Sequence, residues 1–326
     1  MRKSHLRATV LIAVVVLVPA VLLAQQQRFE AVISGGQVLG ACFILPLRIP
    51  VVEWVNPNRV EESTEVDMVA SAPGQPVFAL RSDQIVILQP DGTHTVFAAG
   101  GGATRLSVAP TGRVFTIDFS ESLSVISPAG VQEAVYPLPG ASDFTLIEAA
   151  ADGCTIYYLK SSTIGRFNAC TGMPLSDFAP IPAIPPFGFE QVFDIYARPN
   201  GEVLIAIGDE IVLHDVAGNV IRTVADISMY GFGSTDYAPA QIALTPDGQV
   251  LWIAITDICN PSNAFLLRAS MRDDARELSR RPLQLNDANG LVIGSAPTLD
   301  APTASETALL LLAVALAFGG VFLLRR

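Results

Sequence analysis

The feature that most constrains the fold is a unit of short strands that recurs five times between about Glu65 and Arg280. In each unit short apolar runs are separated by turn residues, as in "QIALTPDGQVLWIAI". The glycine of the first turn marks each unit, at Gly74, Gly112, Gly153, Gly201 and Gly248. The intervals between these glycines are 38, 41, 48 and 47 residues. A four-strand unit with a period of about 40 to 50 residues is typical of a β-propeller.

The hydrophobic patterns of the runs indicate how the units would pack. Runs such as "VLIAI", "IVIL" and "LWIAI" are almost continuously apolar, as expected for strands covered on both faces. Runs such as "THTVFA" and "NVIRTV" alternate like the outer strand of a blade. Each unit buries its faces only against its neighbours, so a ring is required. A β-sandwich of many short strands is the alternative, but it does not predict a restart at a nearly fixed interval.

Two further apolar segments flank the five units. "FEAVISGGQVLGACFILPLRIPVVEWV" precedes them and "PLQLNDANGLVIGS" follows them. We expect these segments to pair, either completing a sixth blade or latching the ring, although Pro46 and Pro50 argue against regular strands because proline cannot donate to a sheet. The sequence thus predicts an all-β fold, a propeller of five to six four-stranded blades over residues 65–295, with residues 25–64 helping to close the ring.

The four cysteines suit an oxidising compartment, where an even number usually forms bridges. Cys154 and Cys170 are equally distant from Ser162, which lies in the expected turn "KSST" of a hairpin. Positions equally distant from a hairpin turn face each other across antiparallel strands, so we predict a disulfide between them. Cys42 and Cys259 would then pair by elimination. No CxxC spacing occurs, which removes the common zinc patterns.

The stretch "DGCTIYYLKSSTIGRFNACTGMPLSDF" resembles a segment of exported bacterial propellers related to the NHL, YVTN and streptogramin-lyase groups. The similarity in repeat pattern extends over most of the body, and the third unit matches best. This resemblance implies a propeller that often serves in binding. It supplies no catalytic residue.

The N-terminal residues 1–24 have the layout of a secretory signal peptide. A basic start with Arg2, Lys3 and Arg7 precedes an apolar stretch that ends at Ala24. An uncleaved anchor is the alternative, because Leu22 is larger than the usual residue near a cleavage site. Either reading predicts that the body is exported.

The C-terminal tail has three parts. Residues 296–307 form a linker with a short motif, residues 308–324 are uncharged and long enough for a membrane-spanning helix, and Arg325 and Arg326 form a basic cytoplasmic end. The start of the tail resembles the IPTL type of bacterial C-terminal sorting signal, a relative of the PEP-CTERM signals, at Pro302, Thr303, Ser305 and Glu306. It departs from that type at Ala301, Ala304 and Thr307. The resemblance implies processing by an exosortase-like membrane enzyme, and a plain membrane anchor is the alternative.

The charge of the exported part argues against some partners. With the basic flanks removed, 15 basic and 31 acidic residues remain, a net charge of −16. Such a surface repels nucleic acid and anionic lipid. No GxSxG, HExxH, Walker or EF-hand motif occurs.

Acidic residues in the turns between second and third strands are weak candidates for a calcium site, since calcium prefers oxygen ligands. They are Asp83, Glu121, Asp209, Glu210 and Asp257. Acids are also common simply as turn residues.

A long loop between the fourth and fifth units contains Tyr230, Phe232 and Tyr237, which either form a recognition surface or cap the core. We expect a binding or interaction module at the cell envelope or surface, with a protein or saccharide ligand. The alternatives are a metal-dependent lactonase- or lyase-like enzyme and a structural part of the extracellular matrix.

Overall fold

The computed structural model describes residues 31–39, 47–55, 59–62, 66–89, 93–141, 145–181, 192–232, 237–257, 264–272, 276–283 and 287–293. The chain divides into two compact units, Met1–Ser295 and Ala296–Arg326, and all the described residues belong to the first. The predicted signal peptide, sorting motif and membrane-spanning helix lie outside the described residues. Within the described part of the chain, no helix is long and apolar enough to cross a membrane.

The described residues form six antiparallel sheets of four strands each. The strands are, in chain order, β1 Ala31–Leu39, β2 Leu47–Val55, β3 Arg59–Glu62, β4 Val66–Ala70, β5 Val77–Arg81, β6 Gln84–Leu88, β7 His94–Ala99, β8 Ala103–Val108, β9 Val114–Asp118, β10 Ser122–Ile126, β11 Gln132–Pro137, β12 Ile147–Ala149, β13 Thr155–Leu159, β14 Thr163–Asn168, β15 Met173–Pro180, β16 Val192–Ala197, β17 Val203–Ile207, β18 Glu210–His214, β19 Val220–Asp226, β20 Tyr237–Leu244, β21 Val250–Asp257, β22 Phe265–Ser270, β23 Glu277–Pro282 and β24 Asp287–Ile293. A short 3₁₀ helix, Ile227–Tyr230, follows β19.

Five blades use consecutive strands, one blade for each unit of the repeat. They are blade two (β4–β7), blade three (β8–β11), blade four (β12–β15), blade five (β16–β19) and blade six (β20–β23). The remaining sheet, blade one, has the order β24-β1-β2-β3 and so combines both ends of the ring-forming segment. The repeat therefore predicted the blades correctly.

The pairing of β24 with β1 closes the ring. Its register runs from Ala31 opposite Ile293 to Gly36 opposite Asp287. The innermost strands contact one another in the cycle β4, β8, β12, β16, β20, β24 and back to β4. The expected pairing of the two flanking segments is thus confirmed. Pro50 lies within β2, opposite Gly36 of β1, and the described ladder between β2 and β3 begins at Val51.

The five marker glycines all have positive φ angles, between 67° and 86°. Each stands in the tight turn that joins the first and second strands of a blade. In four of these turns the glycine N–H bonds to the carbonyl three residues earlier, as from Gly112 to Ala109 at 2.9 Å, and in the first the N–H of Gln75 bonds to the Ala72 carbonyl. A side chain would be strained in this left-handed conformation, which is the physical reason that glycine marks each repeat.

The alternating strand directions give the ring two unlike faces. On one, which we call the turn face, the connections between first and second and between third and fourth strands contain only three to six residues. On the other, the loop face, the connections contain two to eleven residues, and the longest joins β15 to β16. β1 begins and β24 ends on the turn face, since Ala31 pairs with Ile293 there.

The core lies between neighbouring blades, as the repeat predicts. Between blades four and five, for example, Tyr157, Ile164 and Phe178 pack with Val203 and Ile205 in one buried cluster. The rings of Tyr157 and Phe178 meet edge to face, with centroids 5.0 Å apart. Because each blade buries apolar side chains against the next, stability depends on closing the ring.

The predicted disulfide between Cys154 and Cys170 is present, with Cα atoms 5.2 Å apart. Its register differs by one residue from the prediction. The hairpin turns through Ser161 and Ser162, because Leu159 pairs with Ile164. Cys154 therefore stands opposite Ala169, and the bond is diagonal, just beyond the ends of β13 and β14.

The described residues contain no free cysteine. Cys42 and Cys259 lie outside the described residues, and their pairing stays a prediction. The strands on either side of both cysteines end on the loop face, in the neighbouring blades one and six.

Candidate functional site

The innermost strand of each blade pairs with only one strand of its own sheet. Its other edge faces the central channel and leaves N–H groups that need acceptors. In the described structure, side chains from the preceding blade supply an acceptor at five of the junctions between blades. We call these five side chains the junction acceptors.

The first three junction acceptors are neutral. The Ser34 hydroxyl accepts from the N–H of Val69 at 2.9 Å. The Met68 sulfur accepts from the N–H of Leu106 at 3.3 Å. The Ser107 hydroxyl accepts from the N–H of Ala149 at 2.9 Å. These bonds connect blades one to two, two to three and three to four.

The last two junction acceptors are carboxyl groups. Glu148 Oε1 accepts from the N–H of Ala197 at 3.2 Å and connects blades four and five. Asp194 Oδ2 accepts from the N–H of Ile242 at 2.7 Å and connects blades five and six. These junctions are thus alike in that a side chain accepts from an N–H of the next innermost strand, but they differ in the chemistry of the acceptor.

Glu148 lies on β12, enclosed by neighbouring strands at the channel. Besides Ala197, it accepts a hydrogen bond from the Ser107 hydroxyl at 3.0 Å. Burial, with a further contribution from the negative charge of Asp194, raises the pKa of Glu148 to about 8. Its hydrogen bonds oppose this shift only in part. The side chain is therefore largely protonated at neutral pH.

Asp194 lies two residues before Tyr196 on β16, where alternate side chains point the same way. Its second oxygen accepts from the N–H of Ile195 at 2.9 Å. Burial raises the pKa of Asp194 to about 7, against the hydrogen bonds and the attraction of Arg105. The pKa of Tyr196 is raised to about 12, first by burial and then by the charge of Glu148. Two carboxyl groups that titrate near neutrality thus share one channel.

A β-bulge recurs in the inner strands at this level. The pairing register shifts just before Met68 in β4, Arg105 in β8, Asp194 in β16 and Gln241 in β20. A bulge adds one residue and redirects the side chains that follow it. The bulge directly precedes Asp194 and Gln241, whereas β12, which carries Glu148, pairs with β13 in a regular register.

A small cavity occupies the channel beside the two carboxyl groups. Its volume is about 70 Å³, enough for a few water molecules. Its polar lining includes Ser107, Glu148, Asp194, Tyr196 and Gln241. A second space opens toward the turn face, where Pro73, Pro110 and Pro199 form its rim and Glu148 is again exposed to it.

Glu148 and Asp194 are not among the sequence-predicted site residues, because they lie on inner strands and the predicted acids lie in turns. A signal was present, since Glu148 stands five residues before Gly153 and Asp194 seven residues before Gly201. Each is a charged residue in the first strand of a unit. Ser107 and Arg105 occupy the same two positions before Gly112.

The acidic candidates for calcium are on the loop face, as expected from the strand order. Asp83 lies in the β5–β6 turn, Glu121 in the β9–β10 turn, and Asp209 and Glu210 together at the β17–β18 turn. The side chain of Asp257 is outside the described set. Within the described residues, no three His, Cys, Asp or Glu side chains group as metal ligands would. Glu121 has a φ of 59°, which fits a turn residue.

The aromatic residues of the long loop behave as a cap on the core. Tyr230 is 7% exposed and Phe232 is 4% exposed, and both belong to the cluster between blades five and six. The Arg280 guanidinium covers the Phe232 ring at 4.8 Å and donates to the Tyr230 carbonyl at 2.7 Å. Of the two interpretations of this loop, the structure favours the core cap for these two residues. The side chain of Tyr237 is not described.

Comparison with known proteins supports the fold and gives no information on the function. No protein-family model and no curated protein matches the chain. A protein of unknown function from Bacteroides caccae matches with a TM-score of 0.57 and 13% identity over 81% of this chain and 98% of that one. A chain of a nidogen/laminin complex matches with a TM-score of 0.56 and 11% identity over 82% and 98%. The fold therefore defines this chain as a β-propeller protein.

Proposed function

We propose that the protein is an exported binding module of the bacterial cell envelope, and that its ligand contacts the loop face of the propeller. The observation that carries this proposal is the difference between the two faces. The turn face has only short connections, most of which contain a glycine, and is the face on which β1 begins and β24 ends. The longer connections, which adapt more readily to a ligand, are on the loop face.

Two large apolar side chains on the loop face support this assignment. Phe119, in the turn between β9 and β10, is 69% exposed, and Met229, in the 3₁₀ helix, is 67% exposed. Hydrogen bonds fix the backbone at both. Asp118 accepts from the N–H groups of Ser120 and Ser122 around the turn, and Asp226 accepts from the N–H of Ser228 at the start of the 3₁₀ helix. Exposed aromatic and methionine side chains on rigid scaffolds are common anchors in protein interfaces.

The test uses a photo-reactive amino acid in the full-length chain, expressed in its native host. One variant carries it at Phe119 and the matched control at Val131, which is 62% exposed on the turn face of the same blade. We expect covalent adducts from position 119 and few from position 131. Equal labelling, or labelling only from position 131, would overturn the choice of face, and no adduct at either position would argue against a binding function.

The export and anchoring in this proposal rest on the sequence of the two ends, and the disulfide agrees with an oxidising compartment. The intact mass of the protein from the membrane fraction and from the medium tests them. Loss of about residues 1–24 and of the chain from about Pro302 would support sorting by an exosortase-like enzyme. A mass that keeps Arg326 would support a plain membrane anchor.

We also propose that the chain is related to the NHL, YVTN and streptogramin-lyase propellers. The support is the repeat pattern of its sequence and the resemblance of its third unit. The alternative of a metal-dependent hydrolase or lyase rests on the carboxylates of the loop face. A rise in melting temperature with calcium would favour it, because only a ligand of the folded state stabilises that state.

A further inference from the structure

We propose that the disulfide between Cys154 and Cys170 is a thiol-exchange site, at which a small thiol attacks Cys154 and Cys170 leaves as a thiolate held by Arg113. This inference is independent of the ligand of the loop face. It rests on the position of the disulfide on the turn face, on an arginine beside one of its two sulfurs, and on a backbone that is fixed without it.

The arginine distinguishes the two sulfur atoms. Arg113, in the first turn of blade three, donates from Nη1 to Cys170 Sγ at 2.9 Å. Its Nη2 is held by Glu133 Oε2 at 3.1 Å, so the guanidinium is fixed between the carboxylate and the sulfur. A neighbouring guanidinium stabilises a thiolate and lowers the pKa of the thiol. Cys170 is therefore the better leaving group.

The charged group that contacts Cys154 is negative, whereas the one that contacts Cys170 is positive. Asp152 Oδ1 accepts from the N–H of Cys154 at 2.9 Å, which places a carboxylate beside this residue. The hydrogen bond from Arg113 is made to Cys170 Sγ and not to Cys154 Sγ. The charges around the two sulfurs thus favour Cys170 as the leaving thiolate.

The disulfide is accessible, and the hairpin does not depend on it for its shape. Cys170 is exposed and Cys154 is half-buried. The N–H of Cys170 is capped by Asn168 Oδ1 at 3.0 Å, and the N–H of Ala169 bonds to the Cys154 carbonyl at 2.7 Å. These bonds and the β13–β14 ladder remain when the sulfur bond is opened.

The exchange is balanced as follows. The sulfur of the incoming thiolate forms a bond to Cys154 Sγ, the Sγ–Sγ bond breaks, and its electron pair stays on Cys170 Sγ beside Arg113. A second thiolate then attacks the sulfur of the first thiol, releasing an external disulfide and the Cys154 thiolate. Two thiols are oxidised and one protein disulfide is reduced. A cationic thiol is favoured because the exported part of the chain has a net charge of −16.

The test measures the reaction of the folded full-length protein with cysteamine, a small cationic thiol. The reaction is stopped with iodoacetamide and the peptides are mapped by mass. We expect the first cysteamine adduct on Cys154 and the alkyl group on Cys170. Arg113→Gln should slow the exchange about threefold, since the leaving thiolate loses its cation, and Arg113→Lys should restore most of the rate.

The matched control is Arg198→Gln, which removes another arginine paired with a glutamate on the turn face, in blade five, whose described ion pair is with Glu202. It should leave the rate unchanged, and circular dichroism should show that all variants are folded. An adduct mainly on Cys170, equal rates for the wild type and Arg113→Gln, or a disulfide that reacts only after unfolding would overturn the proposal.

Discussion

The junctions between blades fall into two groups, which use different side-chain chemistry to satisfy the N–H groups of the innermost strands. Blades one to four are joined through the hydroxyls of Ser34 and Ser107 and the sulfur of Met68, whereas blades four to six are joined through Glu148 and Asp194. All five side chains accept an N–H from the next inner strand. Only the carboxyl groups change their charge with pH, so the acceptors of two junctions are sensitive to pH and the acceptors of the other three are not. The chemistry of the acceptor therefore decides whether its hydrogen bond across the junction depends on pH.

The largest effect that separates the two groups should be the pH dependence of stability. The folded-state pKa values, about 8 for Glu148 and about 7 for Asp194, lie above the ordinary values of 4.5 and 3.8. At pH values between the ordinary and the folded-state pKa of each group, the folded state binds more protons than the unfolded state. The free energy of unfolding therefore falls as the pH rises through this range. We expect a loss on the order of a few kcal/mol between pH 5 and pH 8.

Urea unfolding of the purified protein at pH 5, 6.5 and 8 measures this loss. The double variant Glu148→Gln with Asp194→Asn keeps an acceptor at each junction but cannot ionise. Its free energy of unfolding should be nearly flat over the same range. A wild-type protein that is more stable at pH 8 than at pH 5 would contradict the assignment.

The junction between blades one and two, which has the neutral acceptor Ser34, should be the most sensitive to added side-chain volume. Gly290 of β24 lies over blade two, and a Cβ atom there would stand 2.4 Å from the Val69 carbonyl oxygen and 2.8 Å from the Ser34 hydroxyl. Both contacts are too short for real atoms, and the first is with backbone. Gly290→Ala should lower the free energy of unfolding by about 1–3 kcal/mol at every pH. An unchanged melting temperature would show that β24 can move away from β4 at no cost.

Removal of one acceptor from each group gives a more direct comparison. Ser34→Ala and Asp194→Ala each leave a buried N–H without its bond, and each should cost about 1–2 kcal/mol at pH 5. The cost of Ser34→Ala should be the same at pH 8. The cost of Asp194→Ala should shrink there, because the variant also removes a charge that repels Glu148. Thermal melts at both pH values test the difference, and equal behaviour of the two variants would refute it.

The smallest effect should come from His214, on the acid side. Its side chain is 6% exposed, in the junction of blades four and five, and its Nδ1 has no hydrogen-bond partner in the described structure. Burial lowers the pKa of His214, so the unfolded state takes up a proton first as the pH falls and the folded state loses stability below about pH 6.5. His214→Leu should remove this modest loss between pH 6.5 and 5.5. A steeper acid loss in the variant would contradict the prediction.

Much of the fold was predictable because its determinants are local. Gly74, Gly112 and Gly248 mark turns that only glycine enters easily, and the apolar runs between them have the length of strands. The disulfide was predictable because both cysteines belong to one hairpin, although its one-residue offset depended on the turn at Ser161 and Ser162. The candidate site was not predictable in the same way. Glu148 meets Ala197 and Asp194 meets Ile242 across separations of 49 and 48 residues.

Tyr230 and Phe232 are a second case in which the sequence alone could not decide the role of a residue. Their sequence context, a long loop with aromatic residues, fits either an exposed anchor or a core cap. Burial decides between them, and burial depends on Arg280 and on strands of two blades.

The sequence by itself determined the number of repeated units, the strand pattern, the turn positions and the first disulfide. These follow from backbone conformation and hydrophobic periodicity, which act over a few residues. The tertiary structure alone decided that the two flanking segments together form a complete four-stranded blade, which face carries the longer connections, and that two acids share the channel. Those features arise when strands about one repeat or more apart are packed together. The pKa values of Glu148 and Asp194 follow from that packing, because water is excluded only once the ring is closed.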